Sequence, residues 1–292
     1  MCAALPLINL SKPISKALSS ELRASLYRFG AFRLAAPAPK TTQRNYETVV
    51  QKAQEFFQQP VTTKMNLTEY SAFASERVRG ETAIYKESTY YFRNDVEPNY
   101  SKGPSDNLFL SVKALHEEWT PIRLDLLNTL SQVLWQAPEK NIPLTGDSAL
   151  NSTTVGVHYY DSSRCSSDCS YYLSLSHKDS GTLTILFRSH DKDDGLEIAD
   201  LKTTEKRGSE GVGSEASFIP VPTPGNDMTE VVVFAGIKLQ NLFGRDRVRA
   251  CVHRVRGPSP DSRTKSCVRR LSIAMFCAPS TPATPITPPS QS

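Results

Sequence analysis

Between residues 153 and 277 the chain is written as eight short apolar runs parted by polar segments, and that rhythm narrows the fold more than any other feature. The runs are Val155–Tyr160, Tyr171–Ser176, Gly181–Phe187, Leu196–Ile198, Phe218–Val221, Val231–Ala235, Val248–Val255 and Val268–Cys277. They are rich in Val, Ile, Leu, Tyr and Phe, and most are too short to bury a helical face, so they read as strands. Short strands in this number, with no internal repeat, predict a double-stranded β-helix, or jelly roll.

The first half follows a different period. Ile14, Leu18, Leu22, Leu26 and Phe29 recur at helical spacing, with Gly30 as the stop. Tyr46, Val49, Val50, Ala53, Phe56 and Phe57 mark a second helix, stopped before Pro60. Trp119, Ile122, Leu126, Leu127, Leu130 and Leu134 mark a third. These stripes read as core packing. Residues 5–10 and 31–35 read as short strands. The expected fold class is therefore mainly β with buttressing helices. Residues 1–105 are expected to form an N-terminal α/β region packed on the core, and 106–279 a helix plus the jelly roll. The Pro/Ser/Thr-rich tail, 280–292, is expected to be disordered. Residues 199–217 read as a polar, glycine-bearing insertion.

Charge and cysteines exclude some classes. A net charge of +4 over 292 residues does not suggest nucleic acid or a membrane surface as partner. A basic cluster between Arg245 and Arg270 reads as a solvated loop and not as a nucleic-acid patch. No apolar run approaches membrane-spanning length, and Met1-Cys-Ala-Ala-Leu-Pro is too short for a signal peptide, so the expected location is cytoplasmic, with the six cysteines reduced. Cys165 and Cys169 invite a zinc reading with His158 or His177, but no second pair follows at finger spacing, and a loop is the stronger reading. Cys251 reads as a small buried residue two positions before His253.

The chemistry concentrates in four residues: His177, Asp179, His253 and Arg270. In Ser-Leu-Ser-His177-Lys178-Asp179-Ser-Gly-Thr-Leu-Thr-Ile-Leu, the imidazole and carboxylate stand two apart in what reads as a strand, so both face one side. A later histidine closes a three-ligand face. Two His and one carboxylate with open positions opposite suit non-haem Fe(II). Arg270 and Ser272 are also two apart, with Ala274 and Phe276 continuing their face, while Leu271, Ile273 and Met275 lie opposite. Arg269 has the parity of the outer face. His116 and His190 read as surface residues, His116 near the start of a helix.

The order His-x-Asp-Ser-Gly-x-Leu-Thr, Gly-Leu-Glu, His-Arg-Val, Arg-Leu-Ser-Ile-Ala-x-Phe resembles the Fe(II)/2-oxoglutarate-dependent dioxygenases of the isopenicillin N synthase-like group. Leu5-Pro-Leu-Ile-Asn-Leu10, Phe29-Gly30-Ala-Phe32, and Glu55-Phe-Phe-x-x-Pro60 with Lys64 extend the resemblance over about residues 5 to 279. It implies that His177, Asp179 and His253 hold Fe(II), with no further catalytic side chain. It also implies that Arg270 and Ser272 hold the distal carboxylate of 2-oxoglutarate, and that Tyr160 adds a hydroxyl to it. It implies oxidation, by default hydroxylation, of a small organic molecule by O2, with release of succinate and CO2. The segment after Arg79-Gly80 helps to cover the pocket in relatives, which puts Tyr85, Tyr91 and Phe92, with Tyr90, forward as a pocket wall.

The chain departs from the family pattern at several points. His158 stands where Asn is common, and Asp161 where Pro follows. Phe234-Ala-Gly236-Ile237 replaces an Asn-x-Gly-Asp turn, and the stretch from His253 to Arg270 is lengthened. Two other functions remain open at the level of sequence: an iron-dependent oxidase or cyclase that does not use 2-oxoglutarate, and a non-catalytic jelly-roll binding protein. The substrate and the oligomeric state are not encoded in any motif of the chain.

Overall fold

The computed structural model of the protein describes residues 5–11, 14–64, 70–73, 77–78, 81–82, 86–91, 104–135, 153–161, 172–188, 195–201, 217–222, 230–256 and 269–277. The N-terminal half holds β1 (Leu7–Ile8), α1 (Lys16–Arg28), β2 (Ala31–Ala35), α2 (Pro39–Phe57) and α3 (Val61–Lys64). It continues with β3 (Tyr70–Phe73), β4 (Arg77–Val78), β5 (Glu81–Thr82), β6 (Lys86–Tyr91) and α4 (Pro104–Trp135). The second half holds β7 (Thr153–Asp161), β8 (Tyr172–His177), β9 (Leu183–Arg188), β10 (Leu196–Ala199) and β11 (Phe218–Pro220). After these come β12 (Glu230–Ala235), α5 (Ile237–Phe243), β13 (His253–Arg256) and β14 (Arg269–Cys277).

The eight strands of the second half divide into two sheets of a jelly roll. β12, β9, β14 and β7 are neighbours in the larger sheet, whose full order is β1-β2-β12-β9-β14-β7-β6-β3. β11, β10, β13 and β8 form the smaller one in that order. The N-terminal region extends the larger sheet at both edges: β2 pairs with β12, and β6 with β7.

Side-chain parity sorts the larger sheet into two faces. Leu271, Ile273 and Met275 of β14 join a core built with Leu22, Leu26, Val49, Phe56, Val112 and Trp119 of the helices. Ala274 belongs to a second core with Tyr160, Leu186, Val232 and Phe234, which meets Leu173, Ile198 and Val255 of the smaller sheet. The outer face is thus sealed by helices, each fully buried aliphatic side chain contributing about 1.5–3 kcal/mol. The inner face is left to line the interior between the sheets.

Local signals account for α1. Ser15 caps it, its hydroxyl accepting from the Leu18 amide at 3.2 Å, and Gly30 takes φ +66 just beyond its end. A Cβ at Gly30 would lie 2.2 Å from the Arg249 carbonyl oxygen, so the turn needs glycine twice over.

Two sequence expectations are corrected. The third helix begins at Pro104, well before Trp119, and runs through Pro121. Leu108, Val112, Leu115 and Trp119 before the proline and Leu126, Leu127 and Leu130 after it are all buried, so one stripe runs across that interruption. His116 therefore sits mid-helix and half-buried, not near a helix start on the surface. The run Val248–Val255 also splits: only His253–Arg256 pairs as a strand, after α5 and an irregular stretch. Among the described residues, no helix is long and apolar enough to cross a membrane. Cys165, Cys169, His190, the 257–267 stretch and the tail lie outside the described residues.

Candidate metal centre

His177, Asp179 and His253 come together with one ligand atom each, all within 4.8 Å of one another. Asp179 Oδ1 lies 3.8 Å from His177 Nε2 and 4.0 Å from His253 Nε2. Among the described residues this is the one cluster of three or more His, Cys, Asp or Glu groups with metal-binding spacing. His158 is not part of it.

The strand reading of His-x-Asp is corrected in its mechanism. β8 ends at His177, and Asp179 stands in the turn that leads to β9. Other backbone holds that turn: the Ile237 amide donates to the Asp179 carbonyl at 2.8 Å, and the Gly236 amide to the Thr182 carbonyl at 2.9 Å. His253 pairs with His177 across β13 and β8, which sets the two imidazoles side by side with ring centroids 4.3 Å apart.

Neighbouring groups decide which atoms face inward. His177 Nδ1 lies 2.8 Å from the Leu175 carbonyl, and His253 Nδ1 lies 3.5 Å from that of Cys251. A carbonyl only accepts, so both Nδ1 atoms carry the proton and both Nε2 lone pairs point at the shared centre. The Thr184 hydroxyl donates to Asp179 Oδ2 at 2.6 Å, which leaves Oδ1 for the same centre. Phe234 stacks on His253 at 4.4 Å and fixes its ring plane. Burial pushes His253 down to about 4, against the pull of Asp179 and with a further push from His177, so its imidazole is neutral near pH 7. The His177 side chain is 47% exposed and that of His253 only 9%, so the centre opens to solvent on the His177 side.

Further inside, the register across β6, β7, β14 and β9 builds two polar rows on the inner face. Directly paired residues share a face. Lys86 pairs with Tyr160 and Tyr160 with Arg270; Ser88 pairs with His158, His158 with Ser272, and Ser272 with Arg188. Arg270 and Ser272 are buried, as the sequence parity expected. The Arg270 guanidinium carbon lies 5.8 Å from the Tyr160 ring centroid. Arg188 is spent on structure, donating to the Pro222 and Val221 carbonyls at 2.8 and 3.0 Å. His158 hydrogen-bonds the Ser88 hydroxyl through Nδ1 at 2.8 Å, and burial, reinforced by the charges of Lys86, His177 and Arg270, holds it well below the usual histidine range.

The proposed pocket wall needs correction at one residue. Tyr91 pairs with Val155 on the outer face and is buried against Phe109, 5.9 Å between centroids. It is core. Its neighbour Tyr90 has the inner parity, with its ring 5.7 Å from that of His158. Tyr85 and Phe92 lie outside the described residues. Cys251 is a buried free thiol in the inner core. Sequence reasoning passed over Thr184, Phe234 and Lys86. The alternation of Thr182 and Thr184 through an apolar strand was the available signal for the first; none pointed to the other two.

No family model matches the chain, and no curated protein does. Solved structures match its fold. A full-length Neurospora crassa protein, solved in complex with alpha-KG, superposes with a TM-score of 0.69 at 20% identity, covering 94% of this chain and 85% of that one. DAO1 of Arabidopsis thaliana, a dioxygenase for auxin oxidation solved with 2-oxoglutarate, gives 0.64 at 20%, covering 98% and 96%. JOX2, in complex with 2OG, Fe and JA, gives 0.68 at 17%, covering 95% and 75%. At these identities the likeness is one of fold: the jelly-roll core with flanking helices that those proteins share.

Proposed function

We propose that this chain is a non-haem Fe(II)- and 2-oxoglutarate-dependent oxygenase that oxidises, by default hydroxylates, a small organic molecule. One observation carries the reading. A two-histidine, one-carboxylate centre occurs together with an inner sheet face that bears a buried arginine, Arg270, beside Tyr160 and Ser272. The donor set fits the metal: two imidazoles and one carboxylate suit Fe(II) and leave further coordination positions free. Several structures of the same fold were solved with 2-oxoglutarate bound, which supports the same cosubstrate here.

A bound Fe(II) supplies the redox chemistry that couples decarboxylation of the 2-oxo acid to succinate and CO2 with oxidation of a substrate C–H bond by O2. The chain supplies position. His177, Asp179 and His253 hold the ion, with Thr184, Leu175 and Cys251 orienting them. Arg270 meets the distal carboxylate as a planar fork, with the Ser272 and Tyr160 hydroxyls as further donors. Leu186, Val232, Phe234 and Ala274 keep the interior apolar, so those contacts act with little competition from water. The substrate enters over His177, where the centre is open. The same reading places the protein in the cytoplasm, in keeping with the free buried thiols of Cys251 and Cys277.

The test is anaerobic titration of the purified chain with Fe(II) and then 2-oxoglutarate, following the metal-to-ligand charge-transfer absorption. A saturable band that needs both components is expected. Fe(II) binding without any such band would favour an iron oxidase that needs no 2-oxo acid, and no Fe(II) binding would end the reading.

A further inference from the structure

We propose that Lys86 is a second cation for the cosubstrate, closing with Arg270 on the distal carboxylate of a 2-oxo dicarboxylic acid from the two strands that flank Tyr160. The inference rests on the reading above and concerns a residue to which that reading gives no role.

Lys86, Tyr160 and Arg270 form one row across β6, β7 and β14, on the inner face. The Lys86 ammonium lies 5.5 Å from the Tyr160 ring centroid and the Arg270 guanidinium 5.8 Å from it. Lys86 also hydrogen-bonds the Tyr160 side chain. An ammonium has only donors, so the phenol oxygen accepts and its own proton is turned toward another acceptor. A carboxylate offers about four acceptor sites. The ammonium, the phenol, the Ser272 hydroxyl and the guanidinium fork together offer enough donors to fill those sites. Burial works against the charge of Lys86, but Tyr160, Tyr90 and Asp179 outweigh it and hold the pKa above the usual lysine range.

The placement of Lys86 is firm because its neighbour is pinned. Glu87 has the opposite parity and forms a fully buried ion pair with Lys64, whose ammonium also donates to the Phe57 carbonyl at 2.8 Å. A one-residue slip of β6 would exchange Lys86 and Glu87 between faces and break that pair. The alternative target for Lys86, an acidic group on the oxidised substrate, fits less well. Lys86 shares its row with Arg270, the residue that the reading assigns to the distal carboxylate.

The experiment is calorimetric binding to the Fe(II)-loaded protein under anaerobic conditions, with 2-oxoglutarate and with pyruvate. Pyruvate keeps the chelating 2-oxo acid and lacks the distal carboxylate. Lys86→Met should raise the Kd for 2-oxoglutarate about tenfold to thirtyfold and leave that for pyruvate within about twofold. Lys86→Arg should retain most of the 2-oxoglutarate affinity, and Lys86→Met with Arg270→Met should lose more than either change alone. Unchanged pyruvate binding also reports a folded pocket; should the methionine variant not fold, Lys86→Gln is read against the same expectations. The proposal is overturned if removing the ammonium leaves 2-oxoglutarate binding intact, or weakens pyruvate equally. If the unaltered protein binds Fe(II) but no 2-oxo acid, the cosubstrate reading itself falls, a result distinct from a silent Lys86.

Discussion

Thr184 donates a 2.6 Å hydrogen bond to Oδ2 of Asp179, and this contact leaves Oδ1 facing His177 and His253. Removing it frees the carboxylate to rotate. Thr184→Val, close in volume, should lower Fe(II) affinity by about tenfold, at the mild end of the range for residues that orient a ligand. Equilibrium titration with Fe(II), alongside a melting curve that should barely move, checks it. Wild-type affinity in the variant would show that the turn alone orients Asp179.

On the proposed reading, His177, Asp179 and His253 hold the ion from a preformed scaffold, so their loss should separate function from fold. His177→Ala, Asp179→Ala and His253→Ala should each abolish turnover and lower metal affinity severely while leaving the circular dichroism of the chain unchanged. Near wild-type activity in any one variant would strike that residue from the centre.

On the proposed reading, Arg270→Ala removes a charge-assisted contact to the cosubstrate in a site that is largely dry. The expected cost is about 2–5 kcal/mol of 2-oxoglutarate binding, or roughly one and a half to four decades in apparent KM. With Lys86 still in place the loss should fall in the lower part of that range. Arg270→Lys should rescue partly, since a point charge cannot reproduce the planar fork. Arg269→Ala should be nearly silent. A raised KM in the Arg269 variant instead would mean that the register of β14 is off by one.

Lys64 and Glu87 are both fully buried and paired. Removing one partner strands the other charge, so Lys64→Met alone should destabilise the fold by about 3–5 kcal/mol. Lys64→Met with Glu87→Leu should recover most of that loss, since an apolar pair leaves no buried charge. Denaturant melts of both variants decide it; equal losses would show that the charge pairing itself is not the issue.

His116 links stability to acid. Burial, with the charge of Arg123, holds it down to about 4, against about 6.5 for an unfolded histidine. As pH falls the unfolded chain takes the proton first. The contribution is therefore complete above about pH 6.5 and lost between about 6.5 and 4, on the order of 1–2 kcal/mol by pH 5. His116→Gln should flatten the fall in unfolding free energy between pH 7 and 5 by that amount, although His158 and His253 keep part of the slope. An unaltered slope would place His116 in contact with solvent.

Much of this was readable because strands advertise themselves by alternation. The eight runs after residue 153 and the inner parity of Arg270 and Ser272 needed only a period of two. The chain hid what depends on pairing between distant segments. Tyr90 and Tyr91 are adjacent and both aromatic, so composition could not say which faced inward; the pairing of β6 with β7 did. Lys86 gains meaning only from Tyr160, a cross-strand neighbour far along the chain. The stripe marked from Trp119 onward misses the first part of α4, where Leu108, Val112 and Leu115 are buried ahead of Pro121. Asp179 reads as a strand residue because the turn that holds it takes its partners from Ile237 and Cys277, distant in sequence.

The turn at Asp179 also sets how the centre tolerates change. A Cβ on Gly236 would lie 2.1 Å from the Gly181 carbonyl oxygen and 3.1 Å from that of Asp179; one on Gly181 would lie 2.6 Å from the Cys277 carbonyl oxygen. Main chain rests on main chain there, with no rotamer between to absorb an error. The carboxylate's address is thus written in backbone clearances, and an ion held there would find its seat already cut. Drift in the surrounding sequence can recolour the pocket walls freely, but at positions 181 and 236 even a single methyl group would move the seat itself.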